Sequence, residues 1–198
     1  MGNLGGHQYT GRVEFFPFGL FQSKGDYVEA DLVREPKPKL MVAGGFNING
    51  EAVRVRGNQG AYMITDQGYH QTDISAIFID AMFKYQGFSL MAEYADRKAD
   101  DPIAKNSDGT PSGFVVLEGT SVNLHAGYAL KSNYEFVGRY TTIDYDEVAG
   151  GGSETQYTFG VNKYFVGHKL KVQTDFTYGE RDNLNDFLMW RLGFDLHF

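Results

Sequence analysis

The chain has 198 residues, a formal net charge of −7 and no cysteine, and it is rich in phenylalanine (16), tyrosine (13) and glycine (25). That composition excludes a disulfide framework and a cysteine metal site, and it argues against nucleic acid as a partner. Aromatic and glycine enrichment with only 5 prolines favours β structure. The segment Met1 to Gly6 has neither a basic region nor an apolar run, so no secretory leader is visible. No apolar run approaches the roughly 20 residues a membrane helix needs. The best one, Ile74 to Phe83, is broken by Asp80. A membrane location would therefore require a closed β-barrel, which satisfies every backbone group in lipid.

In chain order, nine segments alternate with a period of two. The first runs from Tyr9 to Phe18, with Val13 and Phe15 against Arg12 and Glu14, and Pro17 is expected to end it. Leu40, Val42, Gly44, Phe46 and Ile48 share a face in the second. Ile77, Ile79, Ala81, Phe83 and Tyr85 oppose Asp80, Met82 and Lys84 in the third. Phe88, Leu90, Ala92 and Tyr94 oppose Ser89, Met91, Glu93 and Arg97 in the fourth. Next come Val122 to Leu130, Tyr134 to Thr141, Tyr157 to Phe165 and Leu170 to Tyr178. The last segment places Leu188, Trp190, Leu192, Phe194, Leu196 and Phe198 on one face, opposite Arg191, Gly193, Asp195 and His197. Each is about the length a tilted strand needs to cross a bilayer.

The connections alternate in length. Gln86-Gly87, Ser132-Asn133 and Val166-Gly167 are tight turns, while 49–72, 98–118, 146–153 and 180–186 are long and polar. Short turns on one side and long loops on the other are the transmembrane-barrel pattern. The charged stretch 19–38 breaks the parity. It falls where a short turn belongs and is expected to form an irregular plug or a periplasmic excursion. The predicted fold is thus an all-β, antiparallel transmembrane β-barrel of meander topology, forming one domain over 1–198. Nine strands cannot close antiparallel, because the first and last run the same way. Either one strand escapes the alternation or the chain is the C-terminal portion of a larger barrel, and the absence of a visible leader favours the second.

If the apolar faces meet lipid, the polar faces line a lumen. The basic residues of that lining are Arg12, Lys84, Arg97, Arg139, Lys171 and Arg191. The acidic ones are Glu14, Asp80, Glu93, Glu135, Asp175 and Asp195. The bases could form an anion track. They could instead pair with acids across strands and pin the wall, and the balance of signs favours this second reading. His7, His70, His125, His168 and His197 lack metal-ligand spacing, and neither a metal nor a cofactor is expected. Ser121 and His125 share a face but stand too far apart for direct contact, so no catalytic set is found. Gly150-Gly151-Gly152 lacks the context of a phosphate loop. Tyr85, Tyr94, Tyr128, Tyr134, Tyr140, Tyr145, Tyr164 and Tyr178 cluster near strand ends, as interfacial girdles do.

Several segments resemble the phosphate-selective porin O and P family over nearly the whole chain. They are Arg12 to Gly19, Lys24-Gly25-Asp26-Tyr27, Pro38-Lys39-Leu40, Asp80 to Tyr85, Ala92-Glu93-Tyr94, Gly127-Tyr128, Gly138-Arg139-Tyr140 and His168 to Gln173. The terminus also resembles the assembly signal of outer-membrane barrels, through Arg191, Gly193, Phe194, Leu196 and Phe198. The resemblance implies the C-terminal half of an outer-membrane porin of about sixteen strands, not an enzyme, that passes small hydrophilic solutes, anions such as phosphate among them. It further implies outer-membrane lipid, the barrel-assembly machinery and a homotrimer as partners. Two other readings stay open on the sequence: a small non-channel outer-membrane barrel with a structural or adhesive role, and a soluble ligand-binding β-barrel.

Overall fold

A computed structural model describes residues 2–22, 28–182 and 184–197. Of the residues singled out in the sequence, Lys24, Gly25, Asp26, Tyr27 and Phe198 lie outside the described residues. The strands in chain order are β1 (Gln8–Phe15), β2 (Lys39–Ala52), β3 (Arg54–Arg56), β4 (Gln59–Tyr62), β5 (Ile64–Thr65), β6 (Gly68–Tyr69), β7 (Thr72–Tyr85) and β8 (Phe88–Ala99). They continue as β9 (Ile103–Lys105), β10 (Pro111–Val115), β11 (Gly119–Ala129), β12 (Tyr134–Tyr145), β13 (Ser153–Tyr164), β14 (Leu170–Arg181) and β15 (Phe187–Leu196). Among the described residues no helix is long and apolar enough to cross a membrane.

Nine of these strands form one antiparallel meander in the order β1-β2-β7-β8-β11-β12-β13-β14-β15. They are the nine segments the alternation predicts. β1 ends at Phe15, before Pro17, whose missing N–H cannot extend a ladder. The six short strands pair as hairpins inside the two longest connections, β3 with β4, β5 with β6 and β9 with β10. The sequence suggested long connections there, without strands. Gln86 and Gly87 both have positive φ (50° and 94°), the backbone of a two-residue type I′ turn, and Tyr85 pairs with Phe88 across it.

Alternation gives the sheet two chemically different faces. On the outer face Val13, Phe46, Ile79, Leu124, Phe136, Phe159, Phe176, Trp190 and Phe194 are exposed, with Phe194 at 75%. A continuous apolar surface of this kind belongs against lipid or protein, not water. The inner face carries two apolar clusters near its ends. Ala52, Met63, Ile74, Ala104 and Val116 pack beneath the loop hairpins. Phe21, Met41, Ala43 and Met82 pack together at the other end.

Residues 28–38 lie across the short-turn end of the inner face. Asp31 and Glu35 are buried there. The Gly87 N–H donates to Asp31 Oδ2 at 2.7 Å, and the Gln86 N–H to the carbonyl of Glu35 at 3.0 Å. Arg34 donates to the carbonyls of Ala129 and Gln86, both at 2.5 Å. Lys84 Nζ donates to the carbonyls of Val28 and Ala30.

Candidate functional site

All twelve charges singled out in the sequence alternate onto the inner face, with Lys84, Glu135, Lys171 and Asp195 next to the short turns, Arg97 toward the long loops and Asp80, Glu93, Arg139, Asp175 and Arg191 between them. At one side Arg12 reaches over β2 to Asp80. Its Nη1 and Nη2 meet Oδ1 and Oδ2 at 2.5 and 2.7 Å, and its Nε meets Glu14 Oε1 at 2.9 Å. The reach is possible because Ala43 and Gly45, the β2 residues opposite Glu14 and Arg12, are small. Asp80 stands directly opposite Glu93. Like charges at that spacing destabilise a sheet, and the two acids draw on different donors. Arg12 serves Asp80. Asn123 Nδ2 donates to Glu93 Oε2 at 2.8 Å, and Thr141 Oγ1 donates to Asn123 Oδ1 at 2.9 Å.

At the other side Arg191 pairs with Asp175 at 2.8 Å, and Lys171 lies 4.0 Å from Asp195. Asp195 also has His197 at 3.0 Å. Arg139 stands between these two groups, opposite His125 on β11 and Thr158 on β13. Among the described residues it makes no ion pair. It also borders a recess shared with Gln173, Asp175 and Arg191.

Glu135 is almost fully buried. Its Oε2 accepts the Tyr164 hydroxyl at 2.7 Å and Asn162 Nδ2 at 2.8 Å. Tyr164 therefore faces inward and is buried, and Tyr145, on the same face as Arg139 and Ile143, lines an inner recess with Arg97, so neither belongs to the girdle assigned from its position near a strand end. For Tyr164, its own strand's alternation, with Tyr157, Phe159 and Val161 outward, carries the signal that corrects this. His168 lies in the turn below. Burial, reinforced by the charge of Lys84, holds its ring below the ordinary histidine range.

At the long-loop end Arg97, half-buried on β8, donates to the carbonyl of Leu117 at 3.5 Å, and Arg56 of β3 stands near it. Alternation could not find Arg56, because it lies in a long connection. Arg191, Gly193, Phe194 and Leu196 lie on β15, which pairs only with β14 among the described residues.

The sequence matches the profile of Gram-negative porins over residues 24–184. The chain belongs to that family. No curated protein and no solved structure matches it. Family membership gives meaning to the two faces of the sheet. A porin turns its apolar face to outer-membrane lipid and its polar face to water. It also points to a channel for small solutes rather than an enzyme.

Proposed function

We propose that the inner face lines a water-filled lumen through which small hydrophilic solutes diffuse passively, with a bias toward anions. The observation that carries this reading is the division of all nine long strands into an apolar outer and a polar inner face. The lumen then presents Arg12, Arg97, Arg139, Lys171 and Arg191 together with Glu14, Asp80, Glu93, Asp175 and Asp195, whereas Lys84 and Glu135, expected from the sequence to line it, are each 1% exposed and enclosed by protein. Most of these charges hold the wall. Arg12, Lys171 and Arg191 are engaged by acids, Lys84 binds backbone carbonyls, and Glu135 binds Asn162 and Tyr164. Arg139 is the base best placed to act on passing ions, so the bias is modest and centred on it.

The nine strands act as part of a closed barrel of about sixteen. β1 and β15 run in the same direction, so pairing with each other would not close the meander antiparallel. Arg191, Gly193, Phe194, Leu196 and Phe198 serve as the signal by which the assembly machinery reads the β15 edge. Kinship with the phosphate-selective O and P branch, and assembly as a homotrimer, extend the same proposal. Phosphate is one anion to be tested. The test is conductance of the refolded protein in planar bilayers. Discrete steps, with a reversal potential displaced toward the anion under a salt gradient, support the reading. Absence of steps would mean that these nine strands alone are an incomplete pore.

A further inference from the structure

At the long-loop end, β3 and the connection around Leu117 roof part of the inner face and leave a recess of about 400 Å³. Its polar lining includes Arg56, Arg97, Ser121 and Tyr145, and its apolar lining includes Phe78, Leu117 and Ile143. The two arginines are close enough for the charge of Arg56 to act on Arg97. Among the described residues neither forms an ion pair. Glu118, which also borders the recess, is buried, and its Oε1 accepts the backbone N–H of Ala99. Asp96 borders it too, but alternation assigns its side chain to the opposite face.

A guanidinium stays charged at any ordinary pH, so two of them in a partly desolvated recess repel each other unless an anion joins them. A chain with net charge −7 has acids to spare, and Asp96 and Glu118 border the recess, yet among the described residues none of them makes an ion pair with either arginine. Paired guanidinium forks match a carboxylate in two-pronged geometry. The volume lies in the range of small-molecule sites, and the apolar half of the lining suits a ligand with an apolar body.

We propose that this recess binds a small organic anion, its carboxylate held between Arg56 and Arg97 and its short apolar body against Phe78, Leu117 and Ile143. The inference rests on the porin reading in one respect, that the inner face is wet. The recess would load such solutes at one end of the lumen.

The test is calorimetric titration of the detergent-folded protein with benzoate, with benzyl alcohol as the uncharged counterpart and inorganic phosphate as an anion without an apolar body. Benzoate is expected to bind saturably, and the other two about tenfold more weakly. Arg56→Gln, on an exposed loop strand, and Arg97→Gln should each weaken benzoate by about tenfold, while Lys131→Gln, exposed at the short-turn end, leaves it unchanged. Equal binding of benzyl alcohol overturns the inference. So does phosphate binding as tight as benzoate, or indifference to both arginine substitutions. The same preparation is placed in bilayers. Absent conductance with intact benzoate binding would mean that these nine strands alone are an incomplete pore and would leave this inference standing.

Discussion

The backbone N–H of Gly87 donates to Asp31 Oδ2 at 2.7 Å, tying the irregular segment after β1 to the two-residue turn between β7 and β8. The same carboxylate accepts the Glu35 N–H from both oxygens, each at 3.0 Å. Asp31 is 1% exposed, so its removal leaves buried donors unpaired, at about 1–3 kcal/mol each. Asp31→Ala should therefore lower the stability of the lipid-folded protein by about 2 kcal/mol. It should also free residues 28–38 from the short-turn mouth. Unitary conductance is then expected to rise and become noisier. A urea midpoint and single-channel records check the two effects. Asp31→Asn, which keeps one acceptor, should fall between.

Arg12 links β1 to β7 without touching stability greatly. Its side chain is 43% exposed and that of Asp80 is 16% exposed, so the pair contributes less than about 1 kcal/mol. Arg12→Gln should leave the urea midpoint almost unchanged. It uncovers Asp80 and Glu14, however, and the reversal potential should move toward cations. An unchanged reversal potential would mean that this pair lies away from the ion path.

Paired and unpaired lumen charges should behave differently. Arg139→Gln removes a base that no acid offsets, so the reversal potential should shift toward cations. The double change Arg191→Gln with Asp175→Asn removes a matched pair 2.8 Å apart and should shift it little. Arg191→Gln alone exposes Asp175 and should shift it toward cations. Equal effects from the double variant and from Arg139→Gln would show that pairing does not mute these charges.

The nine long strands were legible because a half-buried strand must alternate, and one slip of register would turn every side chain over. Even the inner position of Tyr164 was written in its strand's parity; clustering near a strand end misdirected it to the girdle. What was not legible depends on backbone groups or on loops. Lys84 is held by the carbonyls of Val28 and Ala30, and Asp31 by the N–H groups of Glu35 and Gly87. Any residue supplies such partners, so no side-chain pattern announces them. Arg56 shares a recess with Arg97 only because β3, 3 residues long, pairs with β4 inside a long connection. Runs that short show no period.

The buried Glu135 network should be sensitive to single atoms. Tyr164→Phe removes one hydroxyl from Oε2 and leaves the Asn162 amide donating to that oxygen. A hydrogen bond to a charged group contributes about 1.5–3 kcal/mol, and the urea midpoint should fall accordingly. Asn162→Ala should cost a similar amount. If Glu135→Gln restores most of the loss in the Tyr164→Phe background, the cost is that of a poorly solvated carboxylate. If it restores none, packing of the ring is the larger contribution.

The two faces themselves give the sharpest contrast, because residues of one strand should respond oppositely to the same change. Phe176 lies mid-strand on β14, 57% exposed on the outer face between Phe159 and Trp190. Gln173, three residues earlier, lies on the inner face between Asn162 and Gly193. An arginine near the bilayer midplane costs a barrel about 2–4 kcal/mol on the lipid side. On the lumen side its charge stays in water, and the neighbouring glycine leaves room for the longer chain. Phe176→Arg should therefore impair folding into vesicles and lower stability by that amount. Gln173→Arg should fold normally and move the reversal potential toward anions. Equal tolerance of both, measured by folding into vesicles, would mean that the apolar face does not meet lipid.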